Sequence, residues 1–148
     1  MPTASQILYV DDDARARKWF ERAYQGEFEI QCASSGQEAL DILASRGDAI
    51  AVVVTDYRMP GMDGLQLLMR LQLEHRRLVR LLVTAYAEKD VAIAAVNQAH
   101  VLQLLEKPLQ EVSTRDALRD AVSLYQQQAM ERALNEGRVS ALRETLGF

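Results

Sequence analysis

The stretch Ala51-Val52-Val53-Val54-Thr55 is short, β-branched and unbroken, and it runs directly into Asp56 and a turn rich in Pro and Gly. Such a run fits a fully buried strand better than any other element. Further strand-like runs lie at Ile7 to Val10, Arg80 to Thr84 and Val101 to Leu105, and Phe28 to Ala33 reads as a strand with polar and apolar residues in alternation. Between them lie helical patterns: Ala14 to Tyr24, a segment carrying Ala39, Leu40, Ile42 and Leu43, another carrying Leu65, Leu67, Leu68 and Leu71, Ala87 to Gln98, and a long one from Val112. Five strands alternating with five helices constrain the chain to βαβ units, hence a parallel sheet with helices on both faces.

Local signals refine this pattern. Trp19, Phe20 and Ala23 share one face of the first helix, with Arg15, Arg17 and Arg22 around it, and Gly26 is placed to end it. Ser34 or Ser35 suits the N-cap of the second helix, with Glu38 in its first turn. Val91, Ala94 and Ala95 give the fourth helix an apolar side. Ala117, Ala121 and Leu124, with Leu118, Val122 and Tyr125, give one to the last.

With 148 residues, 49% hydrophobic and 26% charged, the chain can bury one sizeable core. A formal net charge of -4 argues against non-specific binding to nucleic acid or an anionic membrane. The single cysteine, Cys32, allows no internal disulfide and reads as a small buried apolar residue. No signal peptide is evident and no apolar run approaches the ~20 residues of a membrane span, so the expected location is cytoplasmic. Arg76, Arg77 and Arg80 read as a solvated basic face, and His75 as a solvated helix end. Neither His75 nor His100 lies in a phosphotransfer setting.

In an open parallel α/β sheet, ligands bind beyond the carboxyl ends of the strands. Asp11, Asp12 and Asp13 follow the first strand, Asp56 the third, Thr84 ends the fourth, and Lys107 with Pro108 follows the fifth. Clustered carboxylates repel one another until a cation neutralises them, and hard oxygen ligands of this kind suit Mg²⁺. A loop carboxylate can attack phosphorus to give an acyl phosphate, with Lys and Thr as partners for the phosphoryl oxygens. Asp13, by contrast, is placed to cap the first helix, and Asp63 to fix its turn or cap the third.

The motifs "YVDDD", "VVVTDYRMPGMDG", "LLVTAY" and "LEKPL", in this order and each at a strand end, resemble the receiver domain of bacterial two-component response regulators over roughly residues 5 to 125. The resemblance implies a flavodoxin-like, doubly wound five-stranded sheet of order 2-1-3-4-5. It implies that Asp56 is the phosphoacceptor, that Thr84 is the switch hydroxyl, and that Lys107 pairs with the phosphoryl group, the Lys107–Pro108 bond being cis. The implied Mg²⁺ ligands are Asp11, Asp12, Asp56 and the backbone carbonyl of Arg58, with Asp12 the better candidate of the acidic pair for direct ligation. Arg58 and Tyr86 fall where side chains flank the phosphoryl site. The sequence departs from the pattern at Leu104, where many receivers carry the Tyr or Phe that swings inward on activation.

The implied function is Mg²⁺-dependent transfer of a phosphoryl group to Asp56 from a phosphohistidine of a histidine kinase or phosphotransfer protein. The switched surface is that of the fourth helix, fifth strand and fifth helix, and the chain is a signalling receiver, not an enzyme in its own right. The alternative is a pseudo-receiver or single-domain adaptor that acts by protein binding alone; the complete set Asp11, Asp12, Asp56, Thr84 and Lys107 favours the first. Residues 1–125 form the receiver and 126–148 a helical extension or linker. The tail is polar, contains Gly137 and lacks a strict heptad. It shows no nucleic-acid-binding pattern. "RVSALRETLGF" resembles the segment ahead of the phosphoacceptor-histidine helix of sensor kinases, which favours the N-terminal receiver of a longer protein. Homodimerisation through the switched surface or the last helix is a further expectation.

Overall fold

The computed structural model describes residues 4–147. The elements in chain order are β1 (Gln6–Val10), α1 (Ala14–Tyr24), β2 (Ile30–Ala33), α2 (Gly36–Arg46), β3 (Ile50–Asp56), α3 (Gly64–Glu74), β4 (Val79–Thr84), α4 (Lys89–Ala99), β5 (Gln103–Glu106) and α5 (Glu111–Leu146). All strand pairs are parallel and the sheet order is β2-β1-β3-β4-β5. This is the flavodoxin-like order expected above.

Two cores form because the central strands are apolar on both faces. Leu8, Val10, Val53 and Leu82 face a cluster with Leu40, Leu67, Leu68 and Leu71, from α2 and α3. Tyr9, Val52, Val54 and Leu81 face the opposite cluster with Phe20, Tyr24, Leu118 and Ala121, from α1 and α5. β1 pairs Gln6 with Ile50 but Ile7 with Val52, so the register slips at Ala51. The helix starts follow their local chemistry. Asp13 accepts from Arg15 N, Ser35 from Glu38 N, and Asp63 forms a reciprocal capping box with Gln66.

Several expectations change. β2 starts at Ile30, not Phe28, and β5 at Gln103, not Val101, after His100 has ended α4 in the left-handed conformation. A 3₁₀ turn, Tyr86–Glu88, precedes α4, which starts at Lys89. α1 ends at Tyr24 with Gln25 as its C-cap, and Gly26 is not in the positive-φ region. Trp19 is 41% exposed, and α1 buries Phe20 and Tyr24 instead. Val91 and Ala94 are exposed; the buried positions of α4 are Ala92 and Ala99. Cys32 is only half-buried.

Arg80 is not solvated. It is buried, and its guanidinium donates to the carbonyls of Ala99, Arg76, Leu78 and His100 at 2.8–3.4 Å. It thus satisfies carbonyls at the C-terminus of α4, where the helix dipole also favours a cation. Burial lowers its pKa from the usual arginine value.

The tail departs least. α5 continues unbroken through Gly137 for 36 residues, about 54 Å at 1.5 Å per residue. Phe148 lies outside the described residues. No helix among the described residues is long and apolar enough to cross a membrane.

Candidate functional site

The carboxyl edge of the sheet gathers residues from four strand ends. Asp11 leaves β1 fully buried, Asp12 beside it is exposed, and Asp56 closes β3 with 6% of its surface accessible. One oxygen from each lies within 4.8 Å of the others. Lys107, just past β5, reaches in: its Nζ is 2.9 Å from Asp56 Oδ1 and 3.9 Å from Asp11 Oδ2. The Lys107–Pro108 bond is cis, and Lys107 N donates to Thr84 O at 2.9 Å. Thr84 ends β4, buried, one residue beyond the Val83 that pairs with Asp56.

Three carboxylates against one ammonium leave two formal negative charges. Burial raises the Asp56 pKa, Asp11 adds to the rise, and the bond from Lys107 opposes it. Burial alone would lower the Lys107 pKa, but its hydrogen bond to Asp56 and the surrounding carboxylates raise it. The excess charge, the hard oxygen donors and the exposed Asp12 fit a divalent cation that keeps water ligands.

Each carboxylate is oriented by neighbours. Asp56 Oδ1 also accepts from Tyr57 N at 3.0 Å, while Oδ2 is bonded to no described residue. Asp11 accepts from the Tyr9 hydroxyl at 2.9 Å and from Asp13 N at 3.0 Å; Arg17 donates to the Asp11 carbonyl at 2.7 Å. The Tyr9 ring stacks on Phe20, with centroids 4.0 Å apart. Burial, then the Asp11 charge, raises the Tyr9 pKa far above the tyrosine range, so its hydroxyl stays a donor. Tyr9 and Arg17 are positioning residues that the sequence analysis missed. The period-two spacing of Tyr9 and Asp11 along a strand was the available signal for Tyr9.

Asp13 and Asp63 serve as caps and stay out of the cluster. Tyr86 is 78% exposed, and Arg58, in the loop after β3, is ion-paired with Glu88. That pair ties the β3–α3 loop to the 3₁₀ turn before α4. Leu104 is half-buried, pairs with Leu82 and packs against the α2–α3 core. His75 and His100 cap α3 and α4 away from the cluster.

The fold and the site together define a doubly wound α/β domain with an acidic, lysine-bridged cluster at its carboxyl edge. The chain belongs to the response regulator receiver domain family, whose model matches residues 7–122. It is 38% identical over 126 residues to the DNA-binding transcriptional regulator NtrC of Klebsiella pneumoniae, covering 83% of this chain and 26% of that protein. It is 30% identical over 128 residues to the hydrogenase transcriptional regulatory protein HoxA of Bradyrhizobium diazoefficiens, covering 86% and 26%. Among solved structures, an adenylate cyclase from Rhodopirellula baltica superposes with a TM-score of 0.84 at 29% identity, covering 90% of this chain and 98% of that one. The chain spans about a quarter of the length of these two regulators. Family membership makes it a response regulator receiver domain of two-component signalling, a phosphoacceptor class of domain whose acidic cluster generally binds Mg²⁺.

Proposed function

We propose that this chain accepts a phosphoryl group on Asp56 from a phosphohistidine of a histidine kinase or phosphotransfer protein. The observation that carries this reading is the joint placement of Asp11, Asp12, Asp56 and Lys107, with two excess negative charges beside one carboxylate oxygen free of protein partners among the described residues. Asp56 Oδ2 attacks phosphorus; the P–N bond breaks, and its electron pair leaves with the imidazole. Lys107, already on Asp56, is placed to follow the incoming oxygens, and Thr84 stands on the next strand to donate its hydroxyl to one of them. Asp11, Asp12, Asp56 and the Arg58 carbonyl would hold Mg²⁺, which offsets the charge on nucleophile and phosphoryl group. Tyr9 keeps Asp11 fixed throughout.

The output surface in this reading is the face of α4, β5 and α5, where Val91, Ile93, Leu102 and Val112 are 45–67% exposed. Leu104 offers no ring to that face, so loop movement is the route from Thr84 and the Arg58–Glu88 pair to α4. A second copy is one occupant for this face. Residues 1–125 act as the receiver and 126–148 as a helical extension or linker, in the cytoplasm. Binding without phosphorylation is the competing reading.

The test is intact mass after incubation with Mg²⁺ and acetyl phosphate. One phosphoryl adduct is expected on the wild type, none on Asp56→Ala, and at least tenfold slower formation for Asp12→Ala or without Mg²⁺. An unmodified wild type, or an adduct retained by Asp56→Ala, overturns the proposal.

A further inference from the structure

Tyr9 places a hydroxyl inside an apolar layer. Its ring belongs to the core beneath α1 and α5, in one cluster with Ile7, Val52 and Val54, and is buried. A phenylalanine would fill the same space, so packing alone does not account for the oxygen. Among the described residues that hydroxyl has one hydrogen-bond partner, Asp11 Oδ2 at 2.9 Å. The ring is fixed from behind. It stacks on Phe20, with the two planes within 4° of parallel, and Phe20 meets the Tyr24 ring edge-on at 4.9 Å between centroids. Tyr24 is tied in turn to α5, its hydroxyl donating to the Glu111 carbonyl at 3.0 Å.

The Tyr9 bond completes a set that leaves Asp11 no idle polar group. Asp11 N donates to the Ala33 carbonyl at 3.1 Å, and the Asp11 carbonyl accepts from Arg17 at 2.7 Å. Oδ1 accepts from Asp13 N at 3.0 Å, and Oδ2 from Tyr9. The residue has no accessible surface. By contrast, Asp12 is exposed, and Asp56 Oδ2 is bonded to no described residue. The three carboxylates are therefore not equivalent. Two can turn an oxygen toward an ion, and the third is held by a donor on each oxygen.

We infer that Tyr9 is a metal-specificity residue: it withholds Asp11 from direct ligation, so the cluster offers an ion two carboxylates and favours Mg²⁺ over Ca²⁺. The inference rests on the Mg²⁺-binding part of the reading above. Mg²⁺ usually takes one or two carboxylates and keeps several waters, whereas Ca²⁺ takes about 6–8 oxygens in looser geometry. A third carboxylate free to turn would serve Ca²⁺ far more than Mg²⁺. Held as it is, Asp11 contributes its charge and an acceptor for a ligand water. Tyr9 is thus a positioning residue acting through Asp11, and partners of this kind shift metal affinity by about 10–100-fold.

The test needs no phosphodonor. Mn²⁺ binding to the full chain is followed by loss of the free-ion EPR signal, with Mg²⁺ and Ca²⁺ titrated as competitors. In the wild type, Mg²⁺ should displace Mn²⁺ at a concentration about tenfold below that needed of Ca²⁺. In Tyr9→Phe, which keeps the stacked ring, Ca²⁺ affinity should rise and the preference for Mg²⁺ fall about fivefold or more. Asp11→Asn alone should leave the preference within about twofold, and added to Tyr9→Phe it should abolish the Ca²⁺ gain. Tyr24→Phe removes a hydroxyl from the same aromatic stack away from the cluster, and should change nothing. Equal weakening of both ions in Tyr9→Phe is the mark of a merely structural hydroxyl and overturns the inference. So does an unmoved preference, the same shift in Tyr24→Phe, a Ca²⁺ gain that survives Asp11→Asn, or a wild type that binds no ion or prefers Ca²⁺. The shift seen in a wild-type background that takes no phosphoryl adduct would sink the phosphoacceptor reading and leave this one standing. An adduct with an unmoved preference would do the reverse.

Discussion

A single missing Cβ decides how Asp56 is held. The loop after β3 returns so closely that Gly64 N donates to Tyr57 O at 2.7 Å. A Cβ on Gly64 would sit 2.0 Å from the Asp56 carbonyl oxygen and 2.9 Å from its carbon, and backbone atoms cannot step aside. Gly64→Ala must therefore shift the loop or α3, at about 1–3 kcal/mol, and slow the proposed phosphorylation of Asp56. At Gly36 the same Cβ would meet Met62 Sδ at 2.7 Å, the mobile end of a flexible side chain, so Gly36→Ala loses much less. Paired thermal melts check this; equal losses would contradict it. Cys32 gives a second residue-scale prediction. Burial, then the Glu21 charge, pushes its thiol up to about 11 from 9.0. At pH 8 its thiolate fraction is then about a hundredfold below that of an ordinary thiol. Its alkylation rate should keep rising through pH 10. An inflection near pH 9 with a plateau by pH 10 would show a free, unshifted thiol.

At the scale of elements, α5 is the anomaly. Beyond Tyr125 its apolar residues Met130, Leu134, Val139, Leu142 and Leu146 are 50–63% exposed, so little packing supports the helix there. Gly137 sits inside it with open space around its Cβ position. Gly137→Ala should stabilise this segment by about 1 kcal/mol through helix propensity alone. Hydrogen exchange over residues 130–146 should slow several-fold. Unchanged exchange would mean that something other than intrinsic propensity holds the helix. Other elements show where sequence patterns lose force. β3 was legible because a β-branched run has few alternatives. The buried face of α4 was not, because Val91, Ala92, Ile93, Ala94, Ala95 and Val96 are all apolar and give no periodic contrast. Only docking against α3 selects Ala92 and Ala99. Arg80 was misread for a related reason: its acceptors are carbonyls 19 and 20 residues away, as well as nearby, and carbonyls leave no mark on a sequence.

For the whole molecule, the strand ends were the informative positions, since a parallel sheet brings every one of them to a single edge. Asp11, Asp12, Asp56, Thr84 and Lys107 could thus be singled out from the sequence, whereas Tyr9 and Arg17 act only through contacts that the fold creates. The molecule spends stability on this edge: two buried carboxylates and one exposed one share a single ammonium. Such an arrangement is costly until charge is neutralised. Its proposed use is a nucleophile held beside a divalent cation. The most direct measurement is borohydride reduction of the acetyl-phosphate-treated, Mg²⁺-loaded protein, with peptide mapping of the product. An aspartyl phosphate is reduced to homoserine, and homoserine at position 56 alone is the predicted result. Homoserine at position 11 or 12, or a phosphoryl group mapped to His75 or His100, would contradict the account.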